Sequence, residues 1–124
     1  MTIAYWCVLL AAFLPIVWAG VAKSGAKGYD NARPREFLAG LEGRAARANH
    51  AQQNSYEAFP FFAAGVVIAH LTGAAQDTID ALAVTFVVAR IAYGICYITD
   101  RSTLRSLVWL VGFGSTVALF VAGA

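Results

Sequence analysis

Arg47, His50, Asn54 and Glu57 follow one another at offsets of 3, 4 and 3, a spacing that sets all four on one face of a helix. Those side chains can hold a small zwitterion. A carboxylate accepts hydrogen bonds, a guanidinium donates them, and an amide does both. Further along, Arg90 and Tyr97 are seven residues apart and again share a face, and Arg105 with Ser106 opens the last apolar stretch. Together these residues predict a polar pocket suited to a small anionic or zwitterionic molecule rather than to a bare ion. A plainer reading competes with it. Glu57 and Arg90 could serve only to cross-link helices, the other polar residues marking the water boundary.

The elements that must position these residues are apolar. Of the 124 residues, 60% are hydrophobic and 13% charged, with a mean hydropathy of +0.64, whereas soluble domains carry about 25% charged residues. Lipid is therefore the expected solvent. A hydrocarbon core about 30 Å thick takes roughly 20 residues of helix to cross, and four stretches have that length: about 2–22, 47–72, 77–98 and 104–124. The runs are continuous and rich in Ala and Leu, unlike the alternating blocks of a membrane β-barrel. The expected fold is one all-α domain over 1–124, a four-helix transmembrane bundle with a basic loop at 23–46. Residues 2–22 read as a retained helix rather than a cleaved signal, because the first cations, Lys23 and Lys27, follow the apolar run.

Charge asymmetry orients the bundle. Eight of the nine Lys and Arg residues lie in the segments joining the first two and the last two stretches or at the stretch ends that face those segments, which predicts that side as cytoplasmic and both termini as opposite. The net charge of +2 is accounted for by this asymmetry and argues for no nucleic-acid partner. Cys7 and Cys96 fall inside predicted spans, read as small buried hydrophobes, and offer neither a disulfide framework nor a metal site.

Glu57 and Arg90 stand out energetically, since a charge at mid-bilayer costs about 2.5 to 3.5 kcal/mol on insertion scales. Measured inward from His50, Glu57 is roughly 10 Å deep, and measured inward from Ile98, Arg90 is roughly 12 Å deep. Matching depth predicts that the two compensate each other, directly or through a bound polar ligand. Pro15 and Pro60 are expected to bend their helices, and Gly65, Gly94, Gly112 and Gly114 to allow close helix approach. His70 is expected at the far interface, snorkelling or hydrogen-bonded, and Asp80 as an exposed charge near its helix N-terminus.

The run Arg44, Arg47, Ala51, Asn54, Glu57, then Phe59, Pro60 and Phe62, resembles the second-helix signature of the MAPEG family, the membrane-associated proteins in eicosanoid and glutathione metabolism. The likeness extends to the four apolar stretches, the basic first loop, Arg90 with Tyr97, and Arg105-Ser106. The resemblance implies a bacterial-type inner-membrane member, assembled as a homotrimer with ligand sites between neighbours. It also implies glutathione as cofactor, with Asn54 and Glu57 binding the peptide and Glu57 receiving its ammonium group. Arg90 and Tyr97 would support the site, Arg47 or cations of the first loop would compensate at the carboxylates, His50 would line the cofactor site without a fixed charge, and Arg105 with Ser106 would stabilise the thiolate. Many glutathione-using relatives carry arginines one and four residues before the asparagine, where this chain has Gln53 and His50. Three function classes follow: a glutathione transferase or peroxidase acting on hydrophobic electrophiles, a non-catalytic membrane subunit or binding module, and a small four-helix multidrug transporter. The last usually needs an acidic residue in its first span, and residues 2–22 contain none.

Overall fold

The computed structural model describes residues 1–124. It contains five helices rather than four: α1 (Ile3–Ser24), α2 (Pro34–Ala39), α3 (Gly43–Leu71), α4 (Gln76–Ile98) and α5 (Ser102–Val121). The additional helix, α2, lies within the segment read as the basic loop. Pro34 at its first position starts it, since a fixed φ and a missing N–H cost nothing there. The helix expected over 47–72 begins earlier, at Gly43, because Arg44, Ala45 and Ala46 ahead of Arg47 are good helix formers. Pro15 and Pro60 lie within unbroken helices.

Three helices, α1, α4 and α5, are long and apolar enough to cross a membrane. At 29 residues, α3 is roughly 43 Å long, but its first half carries the polar residues of the candidate site and only its second half is strongly apolar. α3 and α4 form the middle of the bundle, and α1 and α5 each pack against both.

Small residues let α1 approach closely. Ala4, Cys7, Ala11, Pro15, Trp18 and Ala22 recur at helical spacing and are its buried face, as expected where van der Waals packing rather than water exclusion joins helices. One core cluster gathers residues including Ala4, Cys7, Phe62, Val66, Phe86 and Leu119. A second, nearer the basic loop, joins Trp18, Ala22, Ala48, Ala51 and Ile98. The opposite faces of α1 and α5 expose Trp6, Leu10 and Phe13, and Leu107, Leu110 and Val117, as surfaces meeting lipid would.

Two glycines act as expected. A methyl group at Gly94 would overlap the indole of Trp18, and one at Gly65 would lie 3.2 Å from Leu119 and Phe120 side-chain atoms. Gly112 has ordinary room, and Gly114 faces open space, so close approach does not explain it. The connections are tight. α3 ends with Gly73 at positive φ, Ala74 N donating to Ala69 O at 3.0 Å. α4 ends the same way with Asp100 at φ 61° and Arg101 N donating to Cys96 O at 2.8 Å, both satisfying the last carbonyls of their helices.

At the opposite end from the basic loop, Asp80 is half-buried rather than simply exposed. Its Oδ1 accepts from Ala4 N and from Gln76 Nε2, each at 2.9 Å, so it serves the first turn of α1 as well as its own helix. His70 is hydrogen-bonded, Nδ1 to Val66 O at 2.7 Å and Nε2 to Thr2 Oγ1 at 3.2 Å, and its ring stacks on Tyr5.

Candidate functional site

Three helices bring polar side chains to one level of the bundle. From α3 come His50, Gln53, Asn54 and Glu57, from α4 Arg90, Tyr93 and Tyr97, and from α5 Arg105. The helical repeat keeps each set on a single face.

Arg90 is the anchor. It is only 3% exposed, and its Nη2 donates to Asn54 Oδ1 at 2.7 Å. Asn54 Nδ2 in turn faces Glu57 Oε2 at 3.4 Å. The opposite charges are thus linked through an amide whose oxygen meets the cation and whose nitrogen meets the anion. A direct Glu57–Arg90 pair does not form; the chain's one ion pair within 4.0 Å is Arg33–Glu36. Because the short Asn54 side chain stands one turn before Glu57, it reaches the guanidinium first. Glu57 itself is exposed on the single chain, so its carboxylate keeps the capacity to accept further donors.

Two cations rest on two tyrosines. Arg90 Cζ lies 4.2 Å from the ring centre of Tyr93, and Arg105 Cζ lies 4.4 Å from that of Tyr97. The two rings meet edge to face at 5.7 Å, with His50 at 5.9 Å from Tyr97. Cation–π contacts of this kind contribute about 0.5 to 2 kcal/mol each, and they hold both guanidinium groups without neutralising them.

The α3 and α4 members of this constellation border two adjoining clefts, whereas Arg105 lines neither. One, of about 250 Å³, is polar and lined by His50, Gln53, Asn54, Glu57, Tyr93 and Tyr97. The other, of about 190 Å³, continues from Asn54, Glu57 and Arg90 to Phe61, Phe86, Trp109 and Phe113. Asn54 and Glu57 belong to both walls. On α5, Arg105, Trp109 and Phe113 follow at intervals of four, so the cation on Tyr97 and the apolar wall share one helix face.

Two residues expected at the site, Arg47 from its spacing and Ser106 from its place at the start of the last stretch, are placed elsewhere. Arg47 Nε donates to Ile98 O at 3.1 Å, tying α3 to the carbonyl end of α4, where a cation is favoured. Ser106 is exposed, and its hydroxyl donates to Ser102 O at 3.2 Å. Neither lines the polar cleft. Conversely, Tyr93 lines it without having been singled out by spacing. It stands three residues after Arg90 and four before Tyr97, on the same face as both, so the signal was present.

A family model, the MAPEG family, matches residues 3–124, nearly the whole chain and every residue of this site. The chain belongs to the MAPEG family. No curated protein and no solved structure matches it. Membership of this membrane family, together with three spanning-length apolar helices, makes it a multi-pass membrane protein. In this MAPEG protein the signature residues Asn54 and Glu57 are the pair that borders both clefts.

Proposed function

We propose that this MAPEG protein is a glutathione-dependent transferase or peroxidase acting on hydrophobic electrophiles, with the peptide in the polar cleft and the apolar substrate in the adjoining one. The observation that carries this reading is the Glu57 carboxylate. It has no cation partner within 4.0 Å, and it stands where a polar and an apolar cleft meet.

The donor set fits the tripeptide. Glu57 would receive the ammonium group, while Asn54, Gln53 and His50 would hydrogen-bond the peptide. Arg90 and Tyr97 would shape the wall. Glutathione, when bound, supplies a nucleophilic thiol. A thiol with pKa near 8.5 is mostly protonated at neutral pH, and a neighbouring cation shifts it towards thiolate. Arg105 would provide that cation, its guanidinium being held on Tyr97 and free of any carboxylate. Ser106 bonds its own helix, so we assign it a lesser part.

The same reading extends to assembly. α3 would be the fourth crossing, the basic loop would face the cytoplasm of a bacterial cell from its inner membrane, and both termini would lie opposite. A homotrimer would let a neighbouring copy cover the exposed Glu57 and complete the cleft. A second reading, a non-catalytic subunit or binding module, is favoured by one observation: Arg90 and Arg47 already hold α3 to α4 through Asn54 and the Ile98 carbonyl.

Calorimetric titration of the purified protein with glutathione separates the two. The transferase reading expects heat of binding at millimolar ligand, weakened by Glu57→Gln, and a thiolate absorbance reduced by Arg105→Ala more than affinity is. Ser106→Ala should change the thiolate signal less than Arg105→Ala does. Absence of binding would leave the module reading standing. If Glu57→Gln lowered the thiolate signal and Arg105→Ala the affinity, both residues would lose the roles proposed for them.

A further inference from the structure

The polar cleft carries one fixed charge, and it is negative. Of its lining side chains, Gln53 and Asn54 are amides, Tyr93 and Tyr97 are phenols, His50 is an imidazole without a fixed charge, and Glu57 is a carboxylate. No Lys or Arg lines it, although three guanidinium groups belong to this end of the bundle. Each is committed elsewhere. Arg47 Nε donates to Ile98 O at 3.1 Å. Arg90 is buried, donates to Asn54 Oδ1 at 2.7 Å and rests on the Tyr93 ring. Arg105 rests on the Tyr97 ring and is the cation assigned above to the thiol.

Such a wall suits only part of glutathione. At neutral pH the tripeptide has one ammonium group and two carboxylates. Its γ-glutamyl end holds the ammonium and a carboxylate on one carbon, so seating the ammonium on Glu57 brings that carboxylate close to another. A cation beside it would compensate, and the cleft offers none. Asn54 does not help, because its oxygen already meets Arg90 and its nitrogen faces Glu57. The remaining donors, Gln53, His50 and the two phenols, are neutral and match an amide better than an anion.

We propose that the polar cleft selects its ligand by the ammonium group and leaves the carboxylates unread, so that thiol peptides with amidated carboxylates bind at least as tightly as glutathione. The ligand class is then an aminothiol of net positive charge. Its ammonium donates to Glu57, and its carboxamides exchange hydrogen bonds with Gln53 and the phenols. This inference rests on the reading of the cleft as a thiol-peptide site and names which thiol peptides fit it.

The test is calorimetric titration of the full chain in non-ionic detergent with three probes. They are glutathione, its diamide with both carboxylates converted to carboxamides, and N-acetylglutathione, which keeps both carboxylates and loses the ammonium. The diamide should bind about fivefold tighter than glutathione, the ratio equivalent to about 1 kcal/mol, which is the repulsion of like charges about 4 Å apart in water. N-acetylglutathione should bind about fivefold more weakly than glutathione, by loss of one exposed ion pair. Glu57→Gln should weaken the diamide about fivefold for the same reason. Gln53 is exposed, so Gln53→Arg can supply the missing cation without disturbing the core. It should tighten glutathione about fivefold and leave the diamide no tighter than before. Equal tightening of both probes by Gln53→Arg would overturn the proposal. So would N-acetylglutathione binding as well as glutathione, or a diamide affinity unmoved by Glu57→Gln. Glutathione binding more tightly than the diamide in the natural chain would show that the carboxylates are met by a cation from a neighbouring copy's basic loop. That result would overturn the inference and leave the thiol-peptide reading standing. Binding of none of the three probes would remove that reading, and the inference with it.

Discussion

Replacing Asn54 with alanine removes the one side-chain hydrogen bond of a guanidinium that is 3% exposed. Hydrogen bonds to charged groups contribute about 1.5 to 3 kcal/mol, and a buried group left unsatisfied forfeits its desolvation as well. The cation–π contact with Tyr93 at 4.2 Å survives, so Arg90 would stay in place. The expected loss of stability is therefore about 1.5 to 3 kcal/mol. Glu57→Gln should behave differently. Its contact with Asn54 is long, 3.4 Å, and its side chain is exposed, so stability should change by no more than about 0.5 kcal/mol. A double-mutant cycle isolates the coupling. Arg90→Met removes the cation while keeping much of the side-chain volume, and once it is gone Asn54→Ala should cost about 1.5 kcal/mol less than in the natural chain. Equilibrium unfolding in mixed micelles, followed by tryptophan fluorescence, measures all four species. If the Asn54 and Arg90 losses add within about 0.5 kcal/mol, the amide link is not what holds α3 to α4, and Asn54 loses its place at the centre of the site.

Two further outcomes test the packing. Gly94→Ala should destabilise the bundle by about 1 to 3 kcal/mol through overpacking against the Trp18 ring. Gly114→Ala, facing open space, should be neutral or slightly stabilising by helix propensity, and micelle unfolding of the two single variants compares them directly. Asp80→Ala should cost about 1 kcal/mol by uncapping α1 at Ala4, with faster hydrogen exchange confined to the first turn of α1. Exchange spread evenly over α4 as well would show that Asp80 serves only its own helix.

Much of the fold is legible in the residues because the bilayer is an unforgiving solvent. Apolar runs near 20 residues announce helices, and the Lys and Arg asymmetry separates the two ends of the bundle. α2 escapes such a reading because six residues are too few to show periodicity, and its only local mark is Pro34. At the site, offsets of three and four find the right face of α3 and the level of Arg90. They do not single out Tyr93, although it obeys the same spacing, because a tyrosine in an apolar run looks like ordinary core. Nor do they anticipate that Arg47 and Ser106 satisfy backbone carbonyls, since those acceptors lie at Ile98 and Ser102, one across the bundle and the other a turn back.

By itself the sequence determined that this is a helical membrane protein of the MAPEG family with a polar strip on α3 and a cation buried in α4. Helical periodicity fixes the angle of each side chain about its own axis, and hydropathy fixes the solvent it must face. Only the tertiary structure decided who meets whom. The rotation of α3 against α4 brought Asn54 rather than Glu57 within 2.7 Å of Arg90. It left the carboxylate open at the meeting of two clefts, because side-chain reach and helix register depend on packing that no single helix encodes.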